Sequence, residues 1–96
     1  MKESYLEITE IYRHTGKILR RHGADRVYII QSKTLANNND TIQMQIQVIA
    51  DQLCDQEKAK KELQETFSSV DYRLYDGSHD ENYKLLMEAE EDGIQI

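Results

Sequence analysis

The sequence predicts a small α/β domain of the α+β type, in which helices flank a mixed sheet of three or four strands. Segments with helical spacing and short β-branched segments follow one another in the order α-β-β-α-β-α. A helix separates the second and third strands, which is typical of a parallel crossover, whereas a loop joins the first two strands and favours antiparallel pairing. The length of 96 residues is enough for one domain, 1–96, and not for two.

The first helix is predicted over residues 4–22, because apolar side chains recur there at helical spacing. Ser4 and Glu7 match a capping box at its start, and Gly23 suits the position just after its end. Gly16 interrupts the helix at a cost of about 1 kcal/mol relative to Ala. We therefore expect close packing against Gly16.

Two strands follow, separated by a loop. The segment "RVYIIQS", 26–32, is β-branched and aromatic and predicts a strand that is buried on both faces. The composition of "KTLANNND", 33–40, predicts a loop. The segment 41–50 alternates between apolar and polar residues, which predicts a strand with one buried and one wet face. The buried set is Ile42, Met44, Ile46 and Val48, and the wet set is Gln43, Gln45 and Gln47.

The next helix and strand are predicted at 55–67 and 70–76. The helix is capped by either Asp55 or Asp51, and its i,i+4 Lys–Glu spacing suggests ion pairs along its surface. The strand "VDYRLYD" alternates in the same way as the second strand.

A last helix is predicted to begin at a second capping box, formed by Ser78 and Glu81, and to end at Gly93. Helical spacing places four of its residues on one face: Tyr83, Leu86, Met87 and Glu90. The tail 94–96 either adds a short strand or docks without one.

Composition excludes several classes of function. The net charge of −6 opposes nucleic-acid binding, which needs Lys and Arg to displace counterions. No apolar run approaches the ~18 residues of a membrane span, and the polar N-terminal segment does not match a signal peptide, so we expect a soluble cytoplasmic protein. Cys54 stands alone, which excludes a disulfide framework. His14, His22 and His79 do not combine with it at a zinc-ligand spacing.

Charged residues cluster in two places, and two interpretations of them stay open. The basic cluster contains Lys17, Arg20, Arg21, His22 and Arg26. The acidic cluster contains Glu81, Glu88, Glu90, Glu91 and Asp92. Both suit solvated helix surfaces with charges near the helix ends. The basic cluster also suits a patch that faces a partner.

The order of elements and several motifs resemble the minimal nucleotidyltransferase family, whose domains are of the DNA polymerase β-like type. In that family the first strand ends in Gly-Ser, and a loop with a second Gly follows. Here the first predicted strand ends "VYIIQS", with Gln31 at the Gly position and Ser32 at the Ser position. Ala36 takes the place of the second Gly.

The family also carries Asp-x-Asp on its second strand and a third acidic residue on a later strand. The resemblance places Gln43 and Gln45 at the two Asp positions and Asp71 at the third. The segment "DGIQI", 92–96, looks like the family's C-terminal tail, ending before its Tyr. The resemblance thus covers nearly the whole chain in order and length.

The resemblance implies a definite chemistry. In the family, carboxylates hold two Mg²⁺ ions that orient a nucleoside triphosphate and activate a hydroxyl for attack on the α-phosphorus. A Gln amide supplies only a neutral oxygen where Mg²⁺ prefers a carboxylate. The resemblance therefore implies a former active site without an intact catalytic residue, metal or cofactor. Its positions are Gln31, Ser32, Gln43, Gln45 and Asp71. The alternative, that the glutamines form an ordinary wet strand face, stays open.

Three functional hypotheses follow. The first is a catalytically inactive nucleotidyltransferase-like domain that binds protein; in the family such domains pair, as antitoxin, with a small all-helical protein of the HEPN type. The second is an active Mg²⁺-dependent nucleotidyltransferase with relocated ligands at Asp40, Asp51 or Asp71. The third is an unrelated α/β protein whose homo-oligomer buries an exposed strand edge.

Overall fold

The computed structural model describes residues 2–35 and 43–96, and the side chains of 8–34 and 44–96. These residues form the predicted order of helices and strands. Their bounds are α1 (Lys2–Arg21), β1 (Val27–Leu35), β2 (Gln43–Ala50), α2 (Gln56–Thr66), β3 (Val70–Asp76), a 3-10 turn (Asp80–Asn82), α3 (Tyr83–Asp92) and β4 (Ile94–Gln95). The fold is of the α+β class, as the sequence predicted.

The strands of the described part form one mixed sheet in the order β3-β2-β1-β4. β1 and β2 are antiparallel, and β2 and β3, which α2 connects, are parallel, so both predicted pairings are confirmed. β4 pairs antiparallel with the start of β1 through Tyr28 and Ile29. The tail therefore adds a short strand.

α1 and α2 cover one face of the sheet, which we call the inner face. Met44, Ile46 and Val48 of β2 point into this core and are buried, whereas Gln45 and Gln47 are half-exposed on the other face. The alternation predicted for β2 is thus confirmed for these five residues. The predictions for Ile42 and for the Gln43 side chain fall outside the described part of the chain.

One polar pair lies inside the core. The hydroxyl groups of Thr15 and Tyr72 are 2.8 Å apart, which joins α1 to β3. Burial raises the pKa of Tyr72 to about 12, because the phenolate is costly to form away from water. The predicted close packing at Gly16 is confirmed, since a Cβ atom there would lie 3.3 Å from the carbonyl carbon of Ile96.

The structure corrects the predicted ends of two elements. β1 does not end at Ser32 but continues to Leu35, because residues 33–35 pair with the start of β2 as far as Gln43. The segment 33–35 is therefore strand, not loop. α1 is already helical at Lys2, so the predicted capping box at Ser4 does not begin it. A register shift at Ile30 adds one unpaired residue to β1, which is a β-bulge.

The cap of α2 is confirmed and the cap predicted for the last helix is wrong. The Asp55 carboxylate accepts from the Lys58 N–H at 3.1 Å. Ser78 caps no helix, because its hydroxyl donates instead to the buried Asp76 carboxylate at 2.7 Å. α3 begins only at Tyr83, and Gly93 ends it as predicted.

α3 turns a different face to the sheet from the one that helical spacing suggested. Ala89 is buried, and Leu85 and Leu86 pack beside it. Tyr83 is 61% exposed and Met87 48% exposed. Of the predicted face, Leu86 packs against the sheet, but Tyr83 and Met87 do not, because the sheet contacts a neighbouring stripe that also includes Leu85 and Ala89.

The outer edge of β3 is covered by side-chain amides from α2. Gln64 donates to the Val70 carbonyl and accepts from the Tyr72 N–H, both at 2.9 Å. Gln56 donates to the Leu74 carbonyl at 2.9 Å. The Gln64 amide thus pairs with the β3 backbone in the way that a neighbouring strand would, and it occupies an edge that would otherwise be free to pair with another chain.

Candidate functional site

The outer face of the sheet, opposite α1 and α2, is divided into two halves. α3 covers the half in which each long strand carries apolar or aromatic outward residues: Tyr28 and Ile30 of β1, Ile49 of β2 and Tyr75 of β3. No described element covers the other half. We call it the open half, and its described side chains are Gln31 and Lys33 of β1, Gln45 and Gln47 of β2, and Asp71 and Arg73 of β3. The outward residues change from apolar to polar at the same level on all three strands.

Side-chain amides on the open half are bonded to their neighbours. Gln47 donates from Nε2 to Oε1 of Gln31 at 3.2 Å across the β1–β2 pair. Gln45 donates from Nε2 to Oδ2 of Asp71 at 3.2 Å across the β2–β3 pair. Gln45 and Asp71 therefore lie side by side on one face of neighbouring strands. Gln43 opens β2, and its side chain lies outside the described part.

These residues do not fit a Mg²⁺ ion. Asp71 is the one carboxylate among the described side chains of the open half, and one of its oxygens already accepts from Gln45. A magnesium site usually draws on carboxylates and phosphates, not on neutral amides alone. Within the described residues no three His, Cys, Asp or Glu side chains converge on a possible metal position.

Ser32 is separated from the other positions that the resemblance singled out. It pairs directly with Ile46, whose side chain points into the core, so Ser32 belongs to the inner face. Gln31 and Ser32 also lie inside β1 and not at its end, which corrects the predicted turn after residue 32. Because their backbone is strand, it does not form a turn that cradles a phosphate. Ala36 lies outside the described residues.

The alternative ligand Asp51 has a structural role. Its Oδ1 accepts from the N–H groups of Asp25 at 2.9 Å and Arg26 at 3.2 Å, which fixes the entry to β1. Its other oxygen lies 3.6 Å from the Arg26 guanidinium. Asp40, the remaining candidate, falls outside the described residues.

Three members of the basic cluster have acidic partners within the chain. Arg21 and His22 both bond to Glu62 of α2, and the hydrogen bond from His22 is the largest cause that lowers the pKa of Glu62. Arg26 donates to Glu90 of α3 at 2.8 Å, and the Glu90 charge raises the pKa of Arg26. The i,i+4 spacing of Lys58 and Glu62 predicts an ion pair along α2, but Glu62 bonds to Arg21 and His22 instead. These contacts join elements of the fold and leave less of the cluster to face a partner.

A shallow groove borders the open half where α3 meets β1. Its volume is about 270 Å³, and its lining combines an apolar floor with two carboxylates: Ile30, Ala89, Gly93, Glu88 and Asp92. Sequence reasoning missed this groove because it assigned the wrong face to the last helix. The change from the polar Gln47 to the apolar Ile49 on the outward side of β2 could have indicated where another element begins to cover the sheet.

Comparison with known proteins gives no match among family models, curated proteins or solved structures. The resemblance to the minimal nucleotidyltransferases therefore rests on the order of elements and on the motifs alone, and it stays a prediction. Among the described helices, none is both long enough and apolar enough to cross a lipid bilayer.

Proposed function

We propose that this chain is a non-catalytic domain of nucleotidyltransferase-like architecture whose open half binds a protein, with a small all-helical protein as the partner. The observation that carries the proposal is the pairing of the amides Gln31–Gln47 and of Gln45 with Asp71. A surface built this way offers hydrogen bonds without offering a metal site. That combination suits recognition and does not suit phosphoryl chemistry.

The hydrogen-bonding capacity left on these amides supports the proposal. Each Gln amide has two N–H donors and one carbonyl acceptor, and one contact leaves the rest available to a partner. Interfaces between proteins carry about one hydrogen bond per 100–200 Å², so a cluster of such amides supplies several.

A thermal-shift experiment tests the non-catalytic part. Millimolar MgATP is expected to leave the melting temperature nearly unchanged, because a weak ligand adds little through RT ln(1 + [L]/Kd). A rise of several degrees that a chelator reverses would show a working nucleotide site and would overturn the proposal.

A repair variant tests the architectural part. Gln43→Asp with Gln45→Asp is expected to create a cluster of three carboxylates with Asp71, which lowers stability without metal. Mg²⁺ or Mn²⁺ is then expected to restore the lost stability, because the ion binds the folded cluster and not the unfolded chain. Gln47→Asp, which lies on the same strand face beside Gln31, is the matched control and should gain no response to metal. Equal metal shifts in wild type, control and repair variant would contradict the former-site interpretation.

Co-purification tests the partner. If a neighbouring gene encodes a small all-helical protein, that protein is expected to bind the wild-type chain and to lose binding when Gln45 and Gln47 are both replaced by Arg. Glu65→Arg, on the exposed side of α2, is the control and should bind like wild type. Equal binding by both variants would move the interface away from the open half.

A further inference from the structure

We infer that the open half is a seat for one α-helix of the partner, which lies beside α3 and presents Lys or Arg to the acidic flank of α3. This inference rests on the proposed protein-binding function and specifies the shape and the charge of what binds.

The open half has the dimensions of one helix. Along β1 it extends from Gln31 to Leu35, five residues, or roughly 13–16 Å at the rise of a strand. Across β1, β2 and β3 it spans three strands spaced about 4.8 Å apart. An α-helix with its side chains is about 10–12 Å in diameter and packs about 8–10 Å from a neighbouring helix. One helix therefore fits between α3 and the far end of the strands.

The position of α3 favours a helix over a second sheet as the element that binds to the open half. It stands on the same face of the sheet and covers Ile49 and Tyr28, so it rises as a wall along one side of the open half. A second sheet that stacked on the glutamines would meet this wall, because stacked sheets lie about 10 Å apart and α3 already fills that layer. A helix laid beside α3 extends the layer that α3 begins.

The wall is acidic on the side that faces the open half. Glu88 and Asp92 are four residues apart on one flank of α3, and both are exposed where they line the groove at Ile30. Glu90 lies on the opposite flank, where it bonds to Arg26. No described basic side chain forms an ion pair with Glu88 or Asp92. Cationic side chains on the partner helix would therefore complement this flank.

The floor sets the chemistry of the face that the partner helix turns downward. The floor carries Gln31, Gln45 and Gln47 together with the charged side chains of Lys33, Asp71 and Arg73. Under an apolar helix the remaining N–H and carbonyl groups of the three amides would be buried without partners, which is costly. Hydroxyl or amide side chains on the partner would satisfy them. The expected ligand is thus a helix of about three turns with Lys or Arg along one flank and Ser, Thr, Asn or Gln beneath.

The test is a selection of helix-stapled peptides from a randomised display library on the purified chain. Enriched peptides are expected to carry Lys or Arg at i, i+4 spacing on one flank. Their binding should shift the NMR signals of the side-chain amides of Gln31, Gln45 and Gln47. A chain with Glu88→Lys and Asp92→Lys should bind them at least about 10-fold more weakly, as expected for reversing close charge pairs. Glu91→Lys, an exposed carboxylate on α3 away from the open half, is the control and should stay within about twofold.

Any one of three results would contradict the proposed helix-binding seat. These results are an absence of enriched peptides, unchanged affinity in the Glu88→Lys, Asp92→Lys chain, and enrichment of extended peptides. A dimer in light scattering that Gln45→Arg disrupts would show a second copy on this face instead. Peptides that bind elsewhere on the chain would contradict the helix-binding seat but not the proposed protein-binding function. Stabilisation that depends on MgATP would contradict the proposed function itself.

Discussion

The polar side chains of α2 and those of the open half are used in different ways. On α2, Gln56 and Gln64 bond to the backbone of β3, and Glu62 bonds to the end of α1. On the open half, the hydrogen bonds among the described side chains join the glutamines to one another and to Asp71. The same amide group therefore completes the fold in one region and stays available at the surface in the other. The difference separates residues whose loss should destabilise the fold from residues whose loss should change only the contacts at the surface.

The two halves of the outer face give the prediction with the largest expected change in stability. Ile49 is fully buried beneath α3, whereas Gln47 lies two residues earlier on the same side of β2. Ile49→Gln is expected to cost about 3 kcal/mol, because it removes apolar burial and places an amide without partners under the helix. Gln47→Ile should stay within about 0.5 kcal/mol. Urea unfolding of both variants measures the difference.

Similar losses in the two variants would show that the open half is as tightly packed as the covered half. The comparison between the halves would then fail. A stabilised Gln47→Ile chain that associates at higher concentration would instead sharpen it, because an apolar side chain on an uncovered face favours burial by another molecule.

The sequence predicted the order of elements and both strand pairings because these depend on local spacing and on connection length. The alternation of Met44, Ile46 and Val48 with the glutamines was enough to assign the faces of β2. The errors arose where a contact between distant parts of the fold decided the outcome. Leu35 stays in its strand because β2 pairs with it, and Ser78 leaves the helix cap because a buried carboxylate takes its hydroxyl.

Of the candidate site, the neighbouring positions of Gln45 and Asp71 were predictable from the parallel crossover. Ser32 was misplaced because the resemblance treats it as part of a turn, whereas the bulge at Ile30 and the pairing with Ile46 put it on the inner face. The cover over Ile49 was not predicted, because periodicity along α3 fits more than one stripe and only the sheet selects between them.

The edge of β3 gives a prediction with an intermediate change in stability. Gln64→Leu leaves the Tyr72 N–H and the Val70 carbonyl without their described partner, so the expected loss is about 2 kcal/mol. The exposed edge should also raise self-association, which light scattering measures at several concentrations. Glu65→Leu, the exposed neighbour on α2, is the control for added apolar surface. Equal association by both variants would attribute the effect to hydrophobicity and not to the edge.

The contact between Glu62 and the end of α1 gives the smallest effect, and pH reveals it. The hydrogen bond from His22, followed by the charge of Arg21, lowers the pKa of Glu62 below its ordinary value of 4.5 in the folded chain. A carboxyl group whose folded pKa is lowered adds stability above its unfolded pKa, and that stability is lost as the pH falls through the folded pKa. Wild type should therefore be more stable than Glu62→Gln at neutral pH, and the difference should shrink as the pH drops below about 4.5.

Thermal unfolding of both chains from neutral to acidic pH measures this difference, with Glu57→Gln, an exposed carboxyl near the start of α2, as the control. A difference that stays constant across that range would show that the carboxylate charge of Glu62 contributes nothing. Added salt should also reduce the difference, because Glu62 and Arg21 are both more than a third exposed and solvent screens their attraction. A difference that does not depend on salt would attribute the effect to the hydrogen bond between His22 and Glu62. That hydrogen bond would then be the contact through which this carboxylate holds α2 against the end of α1.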